Sequence, residues 1–191
     1  MNNISFKIFV LIILCSCKNT NDVFKIAQSR SEKRIILRMA SEDSTILSVK
    51  MPNKFELKNN SYTNRAFVKI DYKYNHKESK WRNLGFELYD VEKYQPVTTR
   101  GKKTILGNKK LQYVYYTRHY LDSTKSTQKH LKVYVEQMLK ENKDTLHIGT
   151  VADFKVKHKE LFEKLTKKDS ISIRFLDGEK MGERIMVPVE W

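Results

Sequence analysis

Residues 65–74, RAFVKIDYKY, decide the fold class. Ala66, Val68, Ile70, Tyr72 and Tyr74 alternate with Phe67, Lys69, Asp71 and Lys73, the two-residue period of a strand with one buried face and one mostly wet face. Leu84, Phe86 and Leu88 repeat that alternation further along. Residues 111–121 are aromatic on both faces, with Tyr113 and Tyr115 on one and Tyr116 and Tyr120 on the other, which suits a central strand or one whose outer face is covered. Upstream, Ile35, Leu37 and Met39, then residues 46–49, give weaker strands before a Met51-Pro52-Asn53 turn. Downstream, strands are expected at Leu146, Ile148, Thr150, Ala152 and Phe154, and at Ile171, Ile173 and Phe175. Asp177-Gly178 turns the chain into a last strand carrying Ile185, Val187, Val189 and Trp191, with Pro188 on its other face implying a sheet edge.

Residues 126–142 admit two readings. Leu131, Val133 and Val135 fit a strand, whereas Leu131, Tyr134, Val135, Met138 and Leu139 fit the apolar stripe of a helix, which is preferred. His158, Leu161, Phe162 and Leu165 mark a second short helix. Many short strands with turn signals between them predict a mainly β chain, an antiparallel β-sandwich with one or two short helices, formed by one domain over residues 32–191. The strand, short helix, strand, strand order of residues 146–191 resembles the closing part of immunoglobulin-like or transthyretin-like sandwiches.

The N-terminal residues carry a different message. Lys7 precedes an apolar run, Ile8, Phe9, Val10, Leu11, Ile12, Ile13 and Leu14, and residues 1–16 hold no acid, which is the order of an export signal. A membrane span needs about 20 apolar residues, and Ser16 and Lys18 interrupt this run well before that. Leu14-Cys15-Ser16-Cys17 resembles the lipobox of bacterial lipoproteins. The resemblance implies a signal peptide over residues 1–16, lipid on the Cys17 thiol, and a lipidated tether over residues 17–31. It also implies attachment to the cell envelope, with Lys18 after the cysteine favouring the outer membrane. Cys15 would leave with the signal and Cys17 would be consumed by lipid, leaving no thiol for a disulfide, a nucleophile or a zinc site.

The formal charge of +15 falls to +14 without Lys7. Basic clusters lie at Lys77, Lys80 and Arg82, at Arg100, Lys102, Lys103, Lys109 and Lys110, and along residues 155–168. In a cytosolic protein this balance would suggest nucleic acid. An exported chain meets acidic proteins, anionic glycans and lipid headgroups instead, and dispersed lysines also serve as a plain solvated surface.

Motifs for chemistry are missing. Gly101-Lys102-Lys103-Thr104 lacks the upstream glycine of a phosphate loop, with Pro96 in its place, and reads as a basic hairpin loop. His76, His119, His130, His147 and His158 are scattered, with no metal-ligand pair among them. No Gly-x-Ser-x-Gly occurs, and no two carboxylates among Glu87, Asp90, Glu92, Glu136, Asp153 and Glu160 single themselves out. No catalytic residue, metal or cofactor is expected. The candidate binding surface is Tyr113, Tyr115, Tyr116, Arg118, His119 and Tyr120 with Lys102 and Lys103, because tyrosine and arginine dominate interface hot spots. Core packing competes for the same tyrosines, so at most one face of that strand is expected to be functional. The expectation is a non-enzymatic envelope lipoprotein that docks or assembles with a protein partner. The alternatives are an immunity-type protein against an incoming toxin, or a binder of anionic glycan or headgroups.

Overall fold

A computed structural model describes residues 23–40, 42, 44–74 and 85–191. The segment expected to be a signal, Cys17, Lys18, His76, the Lys77, Lys80 and Arg82 cluster and Leu84 lie outside the described residues. The chain is mainly β and sandwich-like, built from antiparallel sheets with short helices. Its described elements, in chain order, are β1 (Phe24–Arg30), β2 (Ile36–Met39), β3 (Ile46–Asn59), β4 (Arg65–Lys73), β5 (Glu87–Asp90), β6 (Pro96–Val97), β7 (Arg100–Ile105) and β8 (Lys110–Tyr120). Helices α1 (Lys125–Lys129) and α2 (Lys132–Lys140) follow, then β9 (Thr145–His147), α3 (Val151–Lys157), α4 (Lys159–Thr166), β10 (Ser170–Asp177) and β11 (Lys180–Pro188).

A seven-stranded sheet runs β6-β5-β8-β3-β2-β9, with β1 also paired to β3, and a four-stranded sheet runs β11-β10-β4-β7. The long β3 and β8 pair over their whole length, from Ser48↔Tyr120 to Lys58↔Lys110. Their inner face covers two cores in succession. Ile46, Val49 and Met51 pack with Leu131, Tyr134, Met138, Phe154 and Phe162 of the helices. Phe55, Leu57, Tyr113 and Tyr115 pack with Phe67, Ile70, Tyr72, Ile171, Ile173 and Phe175 of the second sheet. Trp191 packs against both cores.

Several elements depart from the expectations. The tether expected to run to Ser31 becomes strand at Phe24: β1 pairs with β3 from Phe24↔Asn59 to Arg30↔Asn53. Phe24 stacks on Phe175 at 3.7 Å, so apolar residues that look isolated in sequence close the side of the second core. Pro52 does not turn the chain, and β3 runs straight through it. Its pairing partner on one side changes from β2, ending at Ile36↔Lys50, to β1, beginning at Arg30↔Asn53, and a missing donor is tolerated at that junction. Residues 101–104 belong to β7, not to a loop, because Ile105 is pinned in the core and Phe67 pairs with Lys103. The strand expected through Phe154 stops at His147. Thr150 starts α3 with a capping box: the Asp153 N–H donates to Thr150 Oγ1 at 3.3 Å, and the Thr150 N–H donates to Asp153 Oδ2 at 2.8 Å. Four short helices therefore stand where one or two were expected, and the helical reading of residues 126–142 is met by α1 and α2 with a turn at His130 and Leu131 between them, Leu131, Tyr134 and Met138 being buried. The edge position expected from Pro188 is found, since β11 borders the four-stranded sheet.

Where the two cores meet, the inner face turns polar. Tyr72 donates to the Asp169 carboxylate at 2.7 Å, and Thr117 Oγ1 and His119 Nε2 share a hydrogen bond of 2.9 Å. Asn53 donates to the Glu190 carbonyl at 2.9 Å. Burial lowers the His119 pKa from its ordinary 6.5 to about 3, against a hydrogen bond with the Leu165 backbone that acts the other way. Burial favours the neutral imidazole, which lies 3.9 Å from the Asp169 carboxylate. The unfolded chain binds a proton at His119 that the folded chain refuses. Stability should therefore be fully present above pH 6.5 and fall by up to about 1.4 kcal/mol per unit as pH drops towards 3. His158, whose pKa is lowered by burial and by the charges of Lys157 and His130, adds to the same slope. Denaturant unfolding between pH 7 and 4.5 should show this loss, and His119→Gln should flatten it.

Candidate functional site

The strand β8 has two unlike faces. Tyr113 and Tyr115 point into the second core, 4% and 0% exposed, and His119 is buried at the seam, so these three leave the candidate surface. Burial pushes the Tyr115 hydroxyl far above its ordinary pKa. Tyr116, Arg118 and Tyr120 lie on the opposite, outer face of the seven-stranded sheet. Cross-strand register sets their neighbours. One row across the sheet is His147, Ile36, Lys50 and Arg118, and the next is Thr145, Arg38, Ser48 and Tyr120. Glu87 and Pro52 flank Tyr116 in the row beyond.

The first two rows form an open cleft of about 290 Å³ lined by Ile36, Arg38, Ser48, Lys50, Arg118, Asp144, Thr145 and His147. Three cations converge on it. Arg38 is exposed and makes no ion pair among the described residues. Lys50 donates to Glu87 Oε2 at 2.6 Å, and Arg118 Nη2 approaches Glu87 Oε1 at 3.7 Å. Partial burial pushes the Glu87 carboxyl up, but hydrogen bonds from Lys50 and Tyr89 and the charges of Lys50 and Arg118 outweigh it, so it titrates below its ordinary value. Glu87 is thus a fixed counter-ion that holds two cations at one edge of the cleft. The acid at the other rim is Asp144, which accepts a hydrogen bond from the Thr145 hydroxyl. Gly85, at φ +84°, lets the neighbouring backbone pass close to Arg118: a Cβ there would lie 2.5 Å from the Arg118 Cβ.

Beside the cleft sits an aromatic lobe. Asp90 Oδ1 accepts from the Glu92 and Lys93 N–H groups at 2.9 Å, closing the turn between β5 and β6. Tyr94, at φ +49°, folds back so that its ring stacks on Tyr89 at 5.2 Å and its hydroxyl shares a hydrogen bond of 3.2 Å with that of Tyr116. The Lys33 ammonium lies 4.1 Å over the Tyr94 ring and that of Lys50 4.9 Å over Tyr116. Burial and the adjacent Glu87 push the Tyr89 hydroxyl up to about 12, so it stays a donor.

Lys102 and Lys103 are on β7, the edge of the other sheet, and are not brought to this face. The Lys103 ammonium turns back onto the Arg100 and Gly101 carbonyls, at 3.2 and 3.4 Å. Sequence reading missed Arg38, Lys50, Tyr89, Tyr94 and His147, because their convergence depends on register between strands distant in the chain. Among the described residues no three His, Cys, Asp or Glu side chains gather as ligands for a metal. The chemistry on offer is a set of charged and hydroxyl donors beside flat aromatic area, suited to carboxylate, phosphate or sulfate groups on an extended partner.

The two faces predict opposite costs of substitution. Tyr115→Ala should lower unfolding free energy by about 3–5 kcal/mol, whereas Tyr120→Ala, at 50% exposure, should stay within about 0.5 kcal/mol, both read by chemical denaturation. The chain matches no protein-family model, no curated protein and no solved structure.

Proposed function

We propose that this protein is an exported, lipid-anchored component of the cell envelope that docks an acidic protein partner on the outer face of its seven-stranded sheet. One observation carries the reading: Arg38, Lys50 and Arg118 converge on an open cleft beside the Tyr89, Tyr94 and Tyr116 lobe. Cations at the rim draw a carboxylate-bearing surface in and set its register, and the ordered tyrosines supply rigid area that loses little entropy on contact. The role is docking or assembly, without turnover of substrate. Attachment would come from lipid on Cys17, and no helix among the described residues is long and apolar enough to cross a membrane.

A photocrosslinking residue at Tyr120, tested in the native envelope against the same residue at Val156, checks this. Val156 is 85% exposed on α3. The expected result is one dominant protein adduct at position 120, its contact surface rich in Asp and Glu, lost in an Arg38→Glu, Arg118→Glu variant and weakened by salt. Equal adducts at both positions, or adducts indifferent to the charge reversal, would overturn the reading. Retention on an anionic glycan with no protein adduct would replace the protein partner by a carbohydrate one.

A further inference from the structure

The lipid-bearing Cys17 of the proposed function lies close in sequence to the point where the chain enters the fold, and that point has a distinctive surface. Strand β1 begins at Phe24, opposite Asn59 at the far end of β3 from the cleft. Only residues 18–23 separate Cys17 from Phe24, a reach of at most about 25 Å. The same end carries the loops between β3 and β4 and between β7 and β8. Tyr62 on the first is 90% exposed and Leu106 on the second is 55% exposed.

These apolar groups are displayed by a rigid support. Asn59 is fully buried; its amide donates to the carbonyls of Thr63, Ile105 and Leu106 at 2.8, 3.2 and 3.2 Å, and its Oδ1 accepts from the Ser61 N–H and hydroxyl at 3.0 and 2.7 Å. The Asn108 N–H donates to the Ser61 carbonyl, and the Asn60 N–H to the Val23 carbonyl. Gly107 lies so close to the first loop that a Cβ would sit 2.2 Å from the Tyr62 carbonyl oxygen. At the strand ends beside these loops Lys25, Lys58 and Lys110 pair across β1, β3 and β8, Lys109 lies in the second loop, and all four are exposed. Among the described residues of this cluster the acid is Glu56, which accepts from Lys110 at 2.7 Å and from Gln112 at 2.8 Å.

We infer that this end is a membrane-seating tip: Tyr62 and Leu106 enter the interfacial layer of a bilayer with anionic headgroups, and Lys25, Lys58 and Lys109 meet the headgroup phosphates. The inference rests on the lipid-anchor reading of Cys17. A short leader from an acylated residue leaves this end facing the bilayer, tyrosine favours the headgroup level, and an acyl anchor combined with a basic patch holds more firmly than either alone. The consequence is an orientation. The eleven residue-to-residue steps of β3 from Asn59 back to Ser48 hold the cationic cleft about 35 Å from the tip, where a partner can reach it.

The test uses the full chain, exported, purified and reconstituted in vesicles of phosphatidylethanolamine and phosphatidylglycerol. An environment-sensitive fluorescent residue replaces Tyr62, or Val156 as control, and nitroxide lipids labelled at the headgroup level act as quenchers. The expected result is blue-shifted, quenched emission at 62 and water-like, unquenched emission at 156, with quenching at 62 reduced at least twofold by Lys58→Glu with Lys109→Glu. Equal emission at the two positions in vesicles would overturn the tip. So would a shielded probe at 62 in the unacylated Cys17→Ala chain in buffer without vesicles or detergent, which would mean that protein covers it. The intact mass of the same sample reports acylation of Cys17, so failure of the anchor and failure of the tip are read separately.

Discussion

The inner face of the β3–β8 pair has to satisfy two partners along one surface, a helical layer at one end and a second sheet at the other. A single apolar strip cannot be complementary to both without a joint, and the joint is polar. Asn53, Thr117 and His119 from the large sheet meet Tyr72, Asp169 and the chain near Glu190, with Trp191 wedged between the two cores. Each polar group there is worth little net stability while its partner is present, and leaving one unpaired costs more than the bond contributes. The seam therefore fixes which residues of β3 and β8 face which layer.

Once the inner face is committed in this way, the outer face is free to be something else. Alternation along β8 sends Tyr113, Tyr115, Thr117 and His119 inward, and it sends Tyr116, Arg118 and Tyr120 outward. The outer residues of β2, β3, β5 and β9 fall into register with them. The result is a face with ordered charge: Glu87 holds Lys50 and Arg118 in place, while Arg38 extends towards solvent. Pre-arranged cations lose less freedom on meeting an acidic surface than flexible ones would. The opposite ends of the same strands carry the chain entry and the cleft, so one rigid pair of strands connects the proposed anchor to the proposed docking site.

Periodicity made the sheet content legible, and alternation in residues 111–121 reports directly which side chains share a face, but in residues 65–74 an irregularity in pairing between Phe67 and Lys69 puts Phe67, expected on the wet face, into the core with Ile70 and Tyr72. It also exposed the α2 stripe of Leu131, Tyr134 and Met138. What it could not report was register between distant strands, and the outer-face cluster exists only through register: Arg38, Lys50 and Arg118 are neighbours because β2, β3 and β8 align, and no local pattern encodes that. Three local misreadings have local causes. Pro52 reads as a turn unless the change of pairing partner beside it is known. Thr150 continues an alternating run, yet with Asp153 it forms a capping box that starts a helix. Phe24 looks like a stray apolar residue in a tether until Phe175 is placed beside it.

The central claim is that one face of the seven-stranded sheet, and not the dispersed lysines at large, recognises acidic protein. Amide chemical-shift mapping of the chain with an Asp- and Glu-rich peptide tests it most directly. The account predicts perturbations concentrated at Ile36, Arg38, Lys50, Arg118, Tyr120 and His147, with β7 and α4 unmoved. Shifts spread evenly over the lysines of β7, α3 and α4, leaving the cleft no more affected than the rest, would contradict it.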